Sequence, residues 1–260
     1  MPPVCLSIAG LDPSGGAGII ADIKTFSAFG CFAAAAVSSV TFQNTTGVFG
    51  AVHQTAESVR MQIEPVLDDY EIAAIKTGML PTREIVEEVA RIIKERGLKN
   101  IVVDPVVKST SGFDLIDNAA LTALIEKLFP LADLITPNIP ESERIARIEI
   151  NSPYDIEKAA GIMRSMGAKN VLIKGGHLAE VKSEKGKVKS ETRIAKDYLF
   201  IGDELSTFEA EFIKTTATHG TGCVLSAAIA ANLALGNDLV ESVRIAKQFV
   251  TEALQSNVPE

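Results

Sequence analysis

Short runs that are apolar on both faces recur along this chain, and most are separated by segments of helical periodicity. The runs are Val4 to Ala9, Phe32 to Val40, Ala73 to Thr77, Ile101 to Asp104, Leu134 to Thr136 and Val171 to Lys174. A strand apolar on both faces needs cover on both, and strands joined through helices lie parallel. The expected fold class is therefore α/β, a three-layer sandwich around a mostly parallel central sheet. Thr82 reads as an N-cap, followed by the stripe Ile85, Val86, Val89, Ile92 and Ile93 and by Gly97 as the stop. The segment after Pro153 repeats the design, with Ile156, Ala159, Ala160, Ile162, Met163 and Met166 before Gly167. Ligands of such a sheet gather at the carboxyl ends of its strands.

The chain has 260 residues, 47% of them hydrophobic, which is ample for a continuous core, and residues 1–260 read as one domain. One stretch breaks the rhythm: Glu180 to Lys196 is rich in Lys and Glu and reads as a solvated hairpin or flap, bounded at 178–201, that is either a mobile surface loop or an active-site lid. A formal charge of -8 disfavours nucleic acid as a partner, although a nest of main-chain N–H groups holds a small anion whatever the global sign. Cys5, Cys31 and Cys223 are odd in number and far apart, without the pairing of a zinc or redox motif, which fits a reducing compartment. The N-terminal apolar run is too short for a signal segment and no stretch is long enough to span a bilayer, so a cytoplasmic protein without a membrane partner is expected.

Two glycine clusters compete as phosphate cradles. Gly16, Gly18 and Ala21 satisfy the dinucleotide pattern on paper. That reading needs an acidic residue about twenty positions on, and none lies between Asp22 and Glu57. The Walker pattern is absent as well. The second cluster, His219-Gly220-Thr221-Gly222-Cys223, precedes the small, helix-forming run Val224 to Leu235. Main-chain N–H groups and the helix dipole would favour an anion there; a glycine turn that only starts a tightly packed helix is the competing reading.

Other strand ends carry matching chemistry. Asp104-Pro105-Val106, Thr136-Pro137-Asn138-Ile139-Pro140-Glu141 and Lys174-Gly175-Gly176-His177 bring polar groups to the same carboxyl edge. Phosphoryl transfer needs cations around the triphosphate, carboxylates or amides for Mg2+, and a hole lined by dipoles. Singly, Asp104 reads equally as a helix cap, Glu141 as a first-turn partner of the helix dipole and Lys174 as a surface cation. Their coincidence on strand ends argues for a site.

The segment Ser7 to Gly18 with Ala21 to Phe26, then Gln43-Asn44-Thr45, Lys76-Thr77-Gly78-Met79, Asp104-Pro105-Val106, Thr136-Pro137-Asn138 with Glu141, Lys174 to His177 and His219 to Cys223 resemble, in order, the signature of the hydroxymethylpyrimidine and phosphomethylpyrimidine kinases. The resemblance implies a ribokinase-like fold, ATP with Mg2+, a homodimer, and two phosphorylations in thiamine biosynthesis. The first acts on 4-amino-5-hydroxymethyl-2-methylpyrimidine and the second on its monophosphate. It also implies that Gln43 pairs with the aminopyrimidine edge, for which an amide offers both donor and acceptor. Gly10, Ala17, Asp22, Met79 and Val106 would line the same pocket, with Met79 and Val106 equally readable as core. Asn138 and Glu141 would organise Mg2+ through water with Asp104 nearby. Lys174, and more weakly Lys76, would neutralise nucleotide phosphates.

Cys223 stands where many ribokinase relatives have an aspartate base, and the kinases this chain resembles also have cysteine there. The helix end would lower the thiol's pKa and make it a base; alternatively Cys223 supplies an N–H to the anion hole beside Gly220, Thr221 and Gly222, or is a buried small hydrophobe. Members of the family continue into a glycine-rich tail, whereas this sequence stops at Asn257-Val258-Pro259-Glu260. Either the tail is dispensable or the chain is part of a longer polypeptide. A pyridoxal kinase on the same fold, disfavoured by Gln43 and Cys223, and a pyrimidine-sensing protein without catalysis are the competing readings.

Overall fold

The computed structural model describes residues 1–44, 46–108, 114–175, 194–213, 215 and 219–256. In chain order the elements are β1 (Val4–Leu11), α1 (Gly18–Ala28), β2 (Phe32–Asn44), β3 (Gly47–His53), α2 (Ala56–Asp69), β4 (Ile72–Thr77), α3 (Arg83–Arg96), β5 (Ile101–Val103), α4 (Asn118–Ala123), β6 (Leu134–Ile135), α5 (Ile139–Ala146), α6 (Pro153–Ser165), β7 (Asn170–Lys174), β8 (Ile194–Ile201), β9 (Glu204–Glu211), α7 (Thr221–Ala234) and α8 (Leu239–Gln255). They form one sheet of order β3-β2-β1-β4-β5-β6-β7-β8-β9. β2, β1, β4, β5, β6 and β7 run parallel, and β3, β8 and β9 pair antiparallel at the two edges.

Strand side chains alternate between two cores, as a period of two requires. Leu6, Ile8, Ile75, Ile101 and Ile173 pack with the stripes of α3 and α6. Cys5, Ala74, Val102 and Leu172 face the other way, onto α7 and α8. The three layers follow. Thr82 caps α3 by accepting from the Ile85 N–H, and Gly97 ends it in the left-handed conformation. α7 lies against β1, β4 and β5 on one side and α1 and α8 on the others. Its nearly continuous run of buried Ala residues fits a helix with no solvent face.

Residues 194–201, the end of the expected hairpin or flap, form an antiparallel strand, β8, but not a solvated one: Tyr198, Leu199 and Phe200 are buried. Lys196 and Asp197 mask the apolar second half of the strand when the stretch is read by charge. Residues 178–193 of the expected flap lie outside the described residues. β3 and β9 also escape the sequence reading. The winding reverses at β1, whose neighbours β2 and β4 lie on opposite sides, and a doubly wound sheet opens its binding crevice at such a reversal.

Candidate active site

The carboxyl ends of the strands open into a cleft of about 760 Å3. Ala17, Gln43, Asp104, Val106, Asn138, Glu141, Lys174 and all four residues Gly220 to Cys223 line it. A second cavity of about 60 Å3 lies at the switch point, lined by Gly10, Ala17, Gln43, Lys76, Met79, Val106 and Cys223. The two share Ala17, Gln43, Val106, Leu115 and Cys223, so the small one is a side chamber of the cleft. Of the expected residues only Asp22 lines neither.

Asp22 and Lys76 face each other instead. The Lys76 Nζ donates to both Asp22 oxygens at 2.9 Å, and the Ser7 hydroxyl donates to Asp22 at 2.5 Å. Both charged side chains are 0% exposed. Burial disfavours the Lys76 charge, but the Asp22 carboxylate outweighs it and holds the ammonium protonated. Removing either partner would strand a buried charge, so this pair reads as the rigid floor of the small chamber. Lys76 borders that chamber and not the larger cleft.

On the opposite wall, the Lys174 Nζ lies 2.8 Å from Asp104 Oδ1, which also accepts from the Thr136 hydroxyl at 3.1 Å. Ser226 of α7 donates to the other Asp104 oxygen at 3.3 Å. A Cβ on Gly222 would come within 3.1 Å of the Lys174 Nζ, so the ammonium rests on the first turn of α7. Burial works against the Lys174 charge, while Asp104 and Glu141 hold its pKa above the ordinary lysine value. Gly220 takes a left-handed φ of 77° as the N-cap and has no side-chain cap. A cation and an uncapped helix start thus converge on one corner of the cleft.

Asn138 and Glu141 form a capping box at the start of α5, each side chain accepting from the other's main-chain N–H at 2.8 Å. The helix-terminus role is therefore present, and both residues still border the cleft. Burial raises the Glu141 carboxyl to about 7, with Lys174 opposing and Asp104 adding to the rise. Among the described residues there is no group of three or more His, Cys, Asp or Glu side chains able to hold a metal. Asp104 and Glu141 fit Mg2+, which is commonly bound through one or two carboxylates together with water and substrate phosphates.

The two glycine clusters do not compete; they touch. A Cβ on Gly220 would lie 1.8 Å from the Gly16 carbonyl oxygen, and one on Gly18 would lie 2.2 Å from that of Gly10. Each glycine is required by a backbone pressed against it. Asp12, 2% exposed, accepts from the Ser14 N–H and hydroxyl, from the Ala17 N–H and from His219 Nε2 at 2.7–2.9 Å. Although burial opposes it, bonds from Gln43, Ser14 and His219 hold the Asp12 carboxyl below the usual range. Sequence reasoning gave Asp12 and His219 no role, yet Asp-x-Ser just after a strand is a turn signal that marks a carboxylate folded onto its own backbone. For Cys223, burial pushes the thiol up, with Lys76 opposing and Asp104 and Asp22 adding to the rise, in the direction opposite to that expected of a helix end.

The phosphomethylpyrimidine kinase family model matches residues 12–259. The chain is 41% identical over 250 residues to a hydroxymethylpyrimidine/phosphomethylpyrimidine kinase of Haemophilus influenzae, covering 96% of this chain and 90% of that protein. The crystal structure of phosphomethylpyrimidine kinase from Clostridium difficile superposes with a TM-score of 0.81 at 38% identity, covering 97% of this chain and 99% of the other. Pyridoxal kinase from Staphylococcus aureus, in complex with AMP-PCP and pyridoxal, gives 0.85 at 29% identity, covering 98% and 88%.

Proposed function

The chain belongs to the phosphomethylpyrimidine kinase family, and on that premise we propose that it moves the γ-phosphoryl group of ATP onto 4-amino-5-hydroxymethyl-2-methylpyrimidine and then onto the resulting monophosphate. The observation that carries the reading is the side chamber with Gln43 on its wall, opening into a cleft that holds Lys174 and the start of α7. The heterocycle occupies the chamber, with Gln43 paired to its amino edge and Gly10, Ala17, Met79 and Val106 around the ring. Asp22 acts one layer below, through Lys76.

The triphosphate lies in the cleft. Lys174 neutralises it, and the N–H groups of Gly220 to Cys223 receive charge on the transferring phosphoryl as the acceptor oxygen approaches phosphorus and the bridge to the β-phosphate breaks. Asp104 and Glu141, with Asn138 between strand and helix, would hold Mg2+, which supplies charge neutralisation to the phosphates. Asp104 also keeps Lys174 in place through their 2.8 Å contact. Positioning and electrostatics carry this class of reaction, and the proton of the acceptor hydroxyl passes to a phosphate oxygen or to water as the O–P bond forms, so no thiolate base is needed. A cytoplasmic homodimer completes the proposal. No helix among the described residues is long and apolar enough to cross a membrane.

A pyridoxal kinase is the second reading, favoured by the likeness to the S. aureus enzyme. Incubation of the pyrimidine or of pyridoxal with ATP and Mg2+, followed by mass spectrometry, separates the two. Mono- and diphosphate of the pyrimidine are the expected products. Phosphorylation of pyridoxal alone would overturn the assignment.

A further inference from the structure

Asp12 and His219 are 207 residues apart in sequence, yet a short bond joins them, from His219 Nε2 to Asp12 Oδ2 at 2.8 Å. We propose that Asp12 and His219 form a clamp that holds the anion hole at Gly220 to Cys223 in register with the acceptor chamber, making both of them positioning residues for phosphoryl transfer. The inference rests on the kinase reading above and assigns a task to two side chains which that reading leaves idle.

Three observations converge on the clamp. Asp12 is fixed before His219 reaches it: its oxygens accept from the Ser14 N–H, the Ser14 hydroxyl and the Ala17 N–H at 2.7–2.9 Å. It lines the acceptor chamber together with Gln43, so the same carboxylate borders the space in which the residue proposed to read the substrate edge works. His219 lines the cleft and immediately precedes Gly220, whose left-handed φ of 77° sets the direction in which α7 begins. The approach is already tight on both sides. A Cβ on Gly16 would lie 2.7 Å from His219 Cδ2, and one on Gly220 would lie 1.8 Å from the Gly16 oxygen.

A hydrogen bond to a charged acceptor is stronger and more directional than a neutral one, and this one ties together two main-chain turns whose backbones press closely on each other. Without it the turns keep their contact but lose their alignment. Misplacing reacting groups by about 1 Å costs on the order of 100-fold in rate, so a loosened clamp should appear in turnover before it appears in stability.

The test compares wild type with His219→Phe, which keeps the ring volume but removes the donor, and with His219→Gln, whose amide places an N–H where the ring nitrogen was. Turnover of the pyrimidine, Michaelis constants for both substrates, melting temperature and amide hydrogen exchange over Gly220 to Cys223 are measured. For His219→Phe, kcat should fall about 10- to 100-fold with the Michaelis constant for ATP changed less than about twofold. Exchange at Gly220 to Cys223 should quicken in that variant at an unaltered melting temperature, and His219→Gln should restore both kcat and protection. Turnover of His219→Phe within about twofold of wild type overturns the clamp, as does a His219→Gln no better than His219→Phe, or a slowed enzyme with unchanged exchange. A wild type that phosphorylates no pyrimidine defeats the pyrimidine assignment instead, and the exchange comparison still decides whether the bond holds the two turns together.

Discussion

Cys223 shows how far a single residue can be read without its surroundings. From sequence, a thiol at a helix start in a glycine block points to a lowered pKa. In the fold the side chain borders a chamber walled by Met79 and Val106, and burial raises its pKa. The thiol should therefore stay protonated at neutral pH: its alkylation by iodoacetamide should accelerate only above the ordinary thiol range. Cys223→Ser, which keeps the main-chain N–H, should retain turnover within about tenfold. A loss near a thousandfold with an acid limb at neutral pH would restore the thiolate base. Gln43 is the opposite case, because its amide needs a polar edge in either context. Gln43→Ala should raise the Michaelis constant for the pyrimidine about 10- to 100-fold while leaving that for ATP nearly unchanged, and an equal rise for both would discredit edge pairing. That Gly220, Lys174 and Asp104 border one cleft was legible from their coincidence at strand ends and a helix start, not from any one of them singly. Asp22 and Lys76 were not, since a buried pair joining α1 to β4 depends on contacts 54 positions apart.

At the level of elements, the parallel strands were legible because uninterrupted apolar runs admit few alternatives. The edge strands were not. β3 reads Gly-Val-Phe-Gly-Ala-Val-His, and its Gly50 makes sense only across the ladder, where it faces Phe42 and would bring a Cβ to 3.0 Å from that ring. β9 carries Glu204, Glu209 and Glu211 on a half-exposed edge and resembles loop. The start of α5 joins stability to pH in a way that can be measured. Glu141 titrates at about 7 when folded, above its ordinary value of 4.5. The folded protein thus holds this proton more tightly than the unfolded chain between those values, so stability is lost as pH rises through that window and the loss is complete above it. Glu141→Gln keeps an acceptor for the Asn138 N–H and removes the titration. In metal-free buffer, the fall in unfolding free energy from pH 5 to pH 8 should shrink by on the order of 1–3 kcal/mol in the variant. An unchanged difference would exclude Glu141 as its source.

For the molecule as a whole, the two ends of the sheet differ in a way that bears on assembly. A strand edge offers unpaired main-chain groups to any partner, and charge is one common protection. β9 has that protection in Glu204, Glu209 and Glu211, and a second copy of this edge would meet like charge. β3 lacks it. Phe49 is 70% exposed, with Val52 at 54% and Phe42 of β2 at 53% beside it, so an unpaired edge coincides with an apolar patch. An isologous twofold contact through β3 would satisfy the edge and bury the patch at once, and it would also set a second copy close to Gln43 on β2. Light scattering should therefore give twice the 27.6 kDa of one chain. Phe49→Glu with Val52→Lys should give a single chain with unaltered far-ultraviolet circular dichroism, since both side chains are exposed and neither belongs to the cores. A dimer that survives both substitutions would move the interface elsewhere, and a monomeric wild type would leave the β3 edge to a different protein partner.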